Sequence, residues 1–329
     1  MATSARLGSG EFSYDVLEKW EKLPPGYSWR EVAAVAADAK NNVYVFSRGP
    51  HPMTVFDSEG NFLRSWGEGL FVRPHGLTFH PDGTLFCTDD GDHTVRQCTV
   101  DGKVLMTIGM PGKPAAPQSG IPFNRCTHVA LDPKTEDLYI TDGYGNSRVH
   151  KFSPKGKLLF SWGSPGTDPG EFNVPHNIVT DKNGYVYVAD RENHRVQIFD
   201  AQGKYEAQWN NMHRPSALCI SEEQLIYIGE IGAGMEVNRF VPNIGPRITV
   251  MNTKGERLAR IGHLGWGLGL GQFTSPHGIC LDTHHNLYVG EVAWTSISHF
   301  ETPPDQVRSL QKLVKAKATR SDASADARR

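Results

Sequence analysis

The 329-residue sequence predicts an all-β fold, a six-bladed β-propeller closed by an N-terminal strand. Three observations carry that expectation. A phrase of two apolar strands around a tight turn, ending in an acid in most copies, occurs six times. Its copies begin at residues 33, 75, 127, 176, 216 and 277, spaced 40 to 61 residues apart, which suits four short strands per repeat. The last copy lacks an outer strand that the start of the chain can supply.

The six phrases are AAVAADAKNNVYVFSR (33–48), HGLTFHPDGTLFCTDD (75–90), THVALDPKTEDLYITDG (127–143), HNIVTDKNGYVYVADR (176–191), SALCISEEQLIYIGE (216–230) and HGICLDTHHNLYVGEV (277–292). Each supplies strands a and b. A second hairpin such as VHKFSPKGKLLFSW (149–162) or VQIFDAQGKYEAQW (196–209) adds strands c and d, with Gly, Asp or Asn at the turns. Copy six is expected to complete strands a to c by His299–Phe300, before Pro303 and Pro304 end the pattern. Its d strand is then YDVLEKW (14–20), which joins the two ends and hides an edge. The expected division is a flexible start (1–11), one propeller (12–300) and a tail (301–329). The tail opens as a short amphipathic helix through Val307, Leu310, Leu313 and Val314 and ends in the apolar-poor TRSDASADARR.

Composition narrows the function. A net charge of −2 leaves no basic footprint for nucleic acid or an anionic membrane. No apolar run approaches the roughly 20 residues of a membrane span, and the start lacks the pattern of a secretory signal. Cys87, Cys98, Cys126, Cys219 and Cys280 form an odd, scattered set without CxxC, as in a reducing compartment. The expectation is a cytoplasmic protein acting on a small molecule.

The repeats differ where strand a opens: Ala33, His75, Thr127, His176, Ser216 and His277. Histidine recurs in every second copy, always after proline, at two intervals of 101 residues. Alternate blades of a six-fold ring lie about 120° apart and strand a is innermost, so three imidazoles converge on the axis. Three histidines with open positions suit Zn²⁺ or another divalent transition metal. Strand b ends at the same mouth, which brings Arg48, Tyr144 and Arg191 to the triad. Arginine offers a fork for a carboxylate, and tyrosine can take a proton where a cation stabilises its phenolate. The acids Asp89, Asp142, Asp190, Glu230 and Glu291 share one repeated position and read as a structural device. His128, one step out of phase, and Ser275, two residues before His277, are candidate substrate contacts. Asn146, in DGYGNSR, is either a further contact or a brace for its loop. His93, His194 and His213 read as solvated loop residues, and the glycine run LGWGLGLGQF (264–273) as a flap.

At these residues the chain resembles the peptidyl-α-hydroxyglycine α-amidating lyases, NHL-repeat propellers. The resemblance rests on FVRPHGL, DGYGNSRVHKFSPKGK, FNVPHNI, ADRENHRVQIF and SPHGI, with KNNVYVFSRG nearer the start, and covers about residues 30–300. It implies a catalytic zinc on His75, His176 and His277, a catalytic tyrosine at Tyr144, and pocket arginines at Arg48 and Arg191. Three departures stand out. The family's calcium uses carbonyls at positions matching Val35 and Leu77 and an aspartate where this chain has Gly278, which leaves calcium doubtful. A pocket methionine becomes Ser275. Gly145, Tyr187 and Ile198 stand at disulfide positions. The implied chemistry is metal-dependent cleavage of the C–N bond of a carbinolamide or hemiaminal bearing a carboxylate or amide. The alternatives are a metal-dependent lactonase- or esterase-like hydrolase, or a non-enzymatic interaction scaffold.

Overall fold

A computed structural model describes residues 5–262 and 265–317, and within them the six expected blades are present as antiparallel sheets. Numbered in chain order, their strands a open at Val32, Pro74, His128, Pro175, Pro215 and Pro276. Every b strand is buried on both faces, from Val43–Ser47 in blade 1 to Leu287–Glu291 in blade 6. That explains their near-continuous apolar sequences. Aspartate sets several of the a–b and c–d turns: Asp57, Asp181 and Asp282 each accept the backbone N–H groups two and four residues ahead.

The core lies between blades rather than within one. Ala34, Tyr44 and Phe46 of blade 1 pack on Leu77, Leu85 and Cys87 of blade 2, and each further junction has its own cluster. No helix among the described residues is long and apolar enough to cross a membrane.

The ring closes as expected at the N-terminus and differently at the C-terminus. Tyr14–Leu17 is the d strand of blade 6, with Arg6–Leu7 paired outside it. Its partner, strand c, is Leu310–Lys315, in the stretch expected to be a helix; the expected strand before Phe300 is instead a short helix, Ala293–Ser298. The propeller therefore runs past residue 300. The Leu310–Leu313 spacing mimics a helix because the polar residues between them are also buried. Gln311 donates to Glu291, while Lys312 bonds Ser58 and lies over Trp20 and Tyr288. The TRSDASADARR tail lies outside the described residues.

The closing strand yields a test. Val16 is 1% exposed and Leu17 40% exposed. Val16→Asp should bury an unpaired carboxylate and destabilise the protein by at least about 3 kcal/mol, whereas Leu17→Asp should stay within about 0.5 kcal/mol. Chemical denaturation of the two variants measures the difference.

Candidate metal centre

The strand-a histidines owe their position to a local break in the ladder. The a–b register skips one residue in blades 1, 2, 4, 5 and 6, and in blades 2, 4 and 6 the skip falls between Pro74 and Gly76, Pro175 and Asn177, and Pro276 and Gly278. There the skipped residue is the histidine, and a bulge of this kind turns a side chain out of the sheet. The proline before it costs no ladder bond, because it opens the strand.

The acids ending strand b fix the loops entering strand a. Asp89 accepts the N–H groups of Val72 and Arg73, Asp142 that of Asn124, Asp190 that of Asn173, Glu230 that of His213, and Glu291 those of Thr274 and Ser275. All five are fully buried. Their repetition is thus the clamp that seats each strand-a entry.

His75, His176 and His277 meet on the axis with ring centroids 4.7, 4.6 and 4.7 Å apart. Each Nδ1 lies 2.7 Å from a carbonyl of the next blade: Thr127 for His75, Ser216 for His176 and Ala33 for His277. A carbonyl only accepts, so each Nδ1 carries the proton and each Nε2 keeps a free lone pair. Burial is the main force holding all three imidazoles well below their ordinary pKa; the neighbouring histidines, Arg48 and Arg191 add to it. Three neutral, buried, tautomer-locked imidazoles whose ligand nitrogens lie within 4.8 Å of one another could hold a metal ion.

Beside His75 and His277 the neighbouring blade comes so close that a side chain must be absent, whereas His176 is followed by the buried Asn177. A Cβ at Gly76 would lie 2.6 Å from the Thr127 carbonyl, and one at Gly278 would lie 2.5 Å from Ala34 Cα and 2.8 Å from the Ala33 carbonyl. No aspartate fits at 278. The residues present therefore do not fit the calcium site that the resemblance implies.

Tyr144 stands over the triad, its hydroxyl 3.2 Å from His75 Nε2 and 3.1 Å from His176 Nε2. Arg191 Nη1 donates toward the same hydroxyl at 3.4 Å. Glu192 holds Arg191 at 2.8 Å while also accepting from Arg214. Two arginines beside it hold the Glu192 carboxyl down at about 2. Arg48 is held by Glu31 at 2.8 Å and by the Pro74 carbonyl, and its buried Nη2 has no partner among the described residues. Glu31 in turn accepts from Thr295.

The other candidates separate. Ser275 is buried at the His277 entry, with its backbone engaged by Glu291 and Val292. Asn146 is fully buried and bonds Asp142, the Ile121 carbonyl and the Gly120 N–H, so it braces the loop. His128 does not share the mouth with Tyr144. It lines an axial channel of ≈ 530 Å³ that runs from the triad to the a–b turns, past Leu77, Ile178 and Leu218 to Asp38 and Thr283. Its residue parity explains the move: one step along a strand reverses a side chain's direction. His93 and His194 are not merely solvated, since their Nδ1 atoms accept the N–H groups of Arg125 and Arg214. Glu31, Glu192 and Arg125 escaped sequence reasoning, as did the pairing of Arg125 with Asp90. The signal available was charge adjacency, as in Asp89–Asp90 and Arg191–Glu192, which alone names no partner.

Two outcomes are expected. Gly278→Ala should push the Ala33 carbonyl from His277 and weaken metal affinity about 10- to 100-fold, measured by competition with a chromophoric chelator. Burial lowers the His128 pKa to about 4. The unfolded chain then takes up a proton below about 6.5 that the folded chain refuses, so stability falls as pH drops from 6.5 toward 4. Thermal unfolding across that range should show a shallower fall in His128→Asn.

Residues 172–199 match the NHL repeat family. The chain is 34% identical over 230 residues to mouse peptidyl-glycine alpha-amidating monooxygenase, covering 60% of this chain and 23% of that protein. It is 34% identical over 192 residues to Drosophila melanogaster peptidyl-alpha-hydroxyglycine alpha-amidating lyase 1, covering 53% of this chain and 35% of the other. With human NHL repeat-containing protein 3 it shares 34% identity over 218 residues, 62% of this chain and 60% of the relative. It thus spans less than two thirds of each. Among solved structures, a streptogramin B lyase superposes with a TM-score of 0.61 at 13% identity, over 90% of this chain and 99% of its own. A Xanthomonas campestris gluconolactonase gives 0.61 at 11% identity, over 93% and 91%. At such identities the likeness is one of fold. The chain is a six-bladed propeller with an NHL repeat, and it resembles the peptidyl-α-hydroxyglycine α-amidating lyases.

Proposed function

We propose that the protein is a metal-dependent lyase that breaks the C–N bond of a small carbinolamide or hemiaminal carrying a carboxylate or amide. The observation that carries the reading is Tyr144, whose hydroxyl sits 3.1–3.2 Å from two of the three free Nε2 atoms, with Arg191 beside it. The amidating-lyase relatives support the same reaction class.

His75, His176 and His277 would hold a divalent ion that favours imidazole, zinc above all, and such an ion polarises a bound oxygen and lowers the pKa of a hydroxyl. Tyr144, as phenolate, takes the substrate hydroxyl proton at its phenolic oxygen. The C–O bond becomes C=O, the C–N bond breaks, and its electron pair leaves with nitrogen. Nitrogen takes up a proton, so the proton moves overall from oxygen to nitrogen and no water is consumed. Arg191 supports the phenolic oxygen during transfer, and Arg48 offers its unpartnered buried Nη2 to the charge that develops on the substrate at the reacting centre. Free thiols on all five cysteines are consistent with a reducing, cytoplasmic setting.

His176→Ala should lose bound zinc by elemental analysis. Tyr144→Phe should keep the metal yet lose about 10²- to 10⁴-fold in turnover. Full turnover in Tyr144→Phe would overturn the assignment. Reaction in ¹⁸O-water separates this reading from hydrolysis: a lyase leaves both products unlabelled at the instant of release, whereas a hydrolase incorporates the label.

A further inference from the structure

A third arginine stands over the catalytic tyrosine. Arg125 lies in the long loop between blades 2 and 3, and its guanidinium sits 4.3 Å from the Tyr144 ring centroid, nearer than that of Arg191 at 5.4 Å. Its position is built. Nε and Nη2 both donate to Asp90 Oδ2, at 3.2 and 2.8 Å, and Asp90 is fully buried. The backbone N–H donates to His93 Nδ1 at 3.0 Å, and φ is +64°, a left-handed conformation that a non-glycine residue adopts only when its surroundings enforce it.

Two features distinguish Arg125 from the arginines already assigned. Its side chain is 39% exposed, against 9% for Arg48 and 13% for Arg191. Its remaining terminal nitrogen, Nη1, makes no hydrogen bond to any described residue. Arg73 donates to the same Asp90 oxygen at 2.8 Å, so one carboxylate serves two guanidiniums and leaves positive charge at this corner of the mouth. A planar cation with a free N–H donor, held over the ring of Tyr144, is suited to a carboxylate.

We infer that Arg125 is a specificity-determining residue that binds the carboxylate of an α-hydroxycarboxylate-like substrate at the entrance to the site. The inference rests on the mouth above the triad being the substrate site. It assigns the acid end of the substrate to Arg125 on the solvent side of Tyr144, leaving Arg48 and Arg191 for the reacting centre.

The test compares binding of glycolate and its neutral counterpart glycolamide to the zinc-loaded full-length protein by calorimetry. Wild type should bind glycolate at least about tenfold more tightly than glycolamide. Arg125→Met should lose about 10- to 100-fold in glycolate affinity with glycolamide unchanged, at wild-type zinc content. Arg125→Lys, which keeps the charge beside Asp90 but not the fork, should fall between. Should Arg125→Met fail to fold because Asp90 is left short of a partner, the Asp90→Asn/Arg125→Met double variant carries the same comparison. Unchanged glycolate affinity in the variant, an equal loss for both ligands, or no preference in wild type would each overturn the inference. Binding is the readout, so failure of the protein to cleave any C–N bond leaves this result standing and counts against the proposed reaction alone.

Discussion

Everything at the centre of this ring depends on three short hydrogen bonds from imidazole N–H to a main-chain carbonyl. Each bond crosses from an even blade to the next odd one: His75 to Thr127, His176 to Ser216, His277 to Ala33. Singly, such a bond contributes about 1 kcal/mol to stability, a minor sum in a fold of this size. Its larger effect is chemical. It assigns the proton to Nδ1, fixes ring rotation, and turns three lone pairs toward one point. The surrounding geometry serves those bonds: bulges expel the histidines from the ladder, small residues in the odd blades let the carbonyls approach, and Gly76 and Gly278 clear the path.

The polar groups farther out follow a second pattern. The acid closing strand b is buried and turned to backbone N–H groups, so it belongs to the scaffold. A different set of carboxylates, Glu31, Asp90 and Glu192, holds the arginines around Tyr144. Separating the two sets matters for electrostatics. The scaffold acids seat backbone N–H groups near the strand ends, with Asp190 and Glu230 also paired to Arg195 and Arg247 of strand c, whereas the acids holding Arg48, Arg125 and Arg191 tune the charge around Tyr144. Thr295, which donates to Glu31, shows that the Ala293–Ser298 segment supports the site from blade 6.

The fold and the meeting of three histidines on the axis were legible in the sequence because both repeat. Six copies of one strand pair, and a Pro–His pair in every second copy, turn spacing into angle. Tyr144, Arg48 and Arg191 followed from strand polarity. What repetition could not reveal were the places where the chain departs from its own repeat. Strand c of the last blade was disguised by Gln311 and Lys312, polar residues that are buried only because Glu291, Ser58 and two aromatic rings receive them. His128 went astray by a single position, enough to turn it into the axial channel. Arg125 and Asp90 meet across 35 residues of chain, between two loops of different blades. Contacts of that kind are properties of three-dimensional closure, and no periodicity announces them.

Blade 6 is assembled from both ends of the polypeptide, and His277 finds its carbonyl in blade 1, across the seam. During synthesis His75 and His176 emerge long before His277 and the strand Leu310–Lys315 that complete the seam. The third imidazole can be seated only after the two ends have found each other. An ion held by the triad would therefore bind only the completed circle, and its affinity would add to the bonds that keep the seam shut. A strand far from the chemistry thus decides whether there is a centre at all.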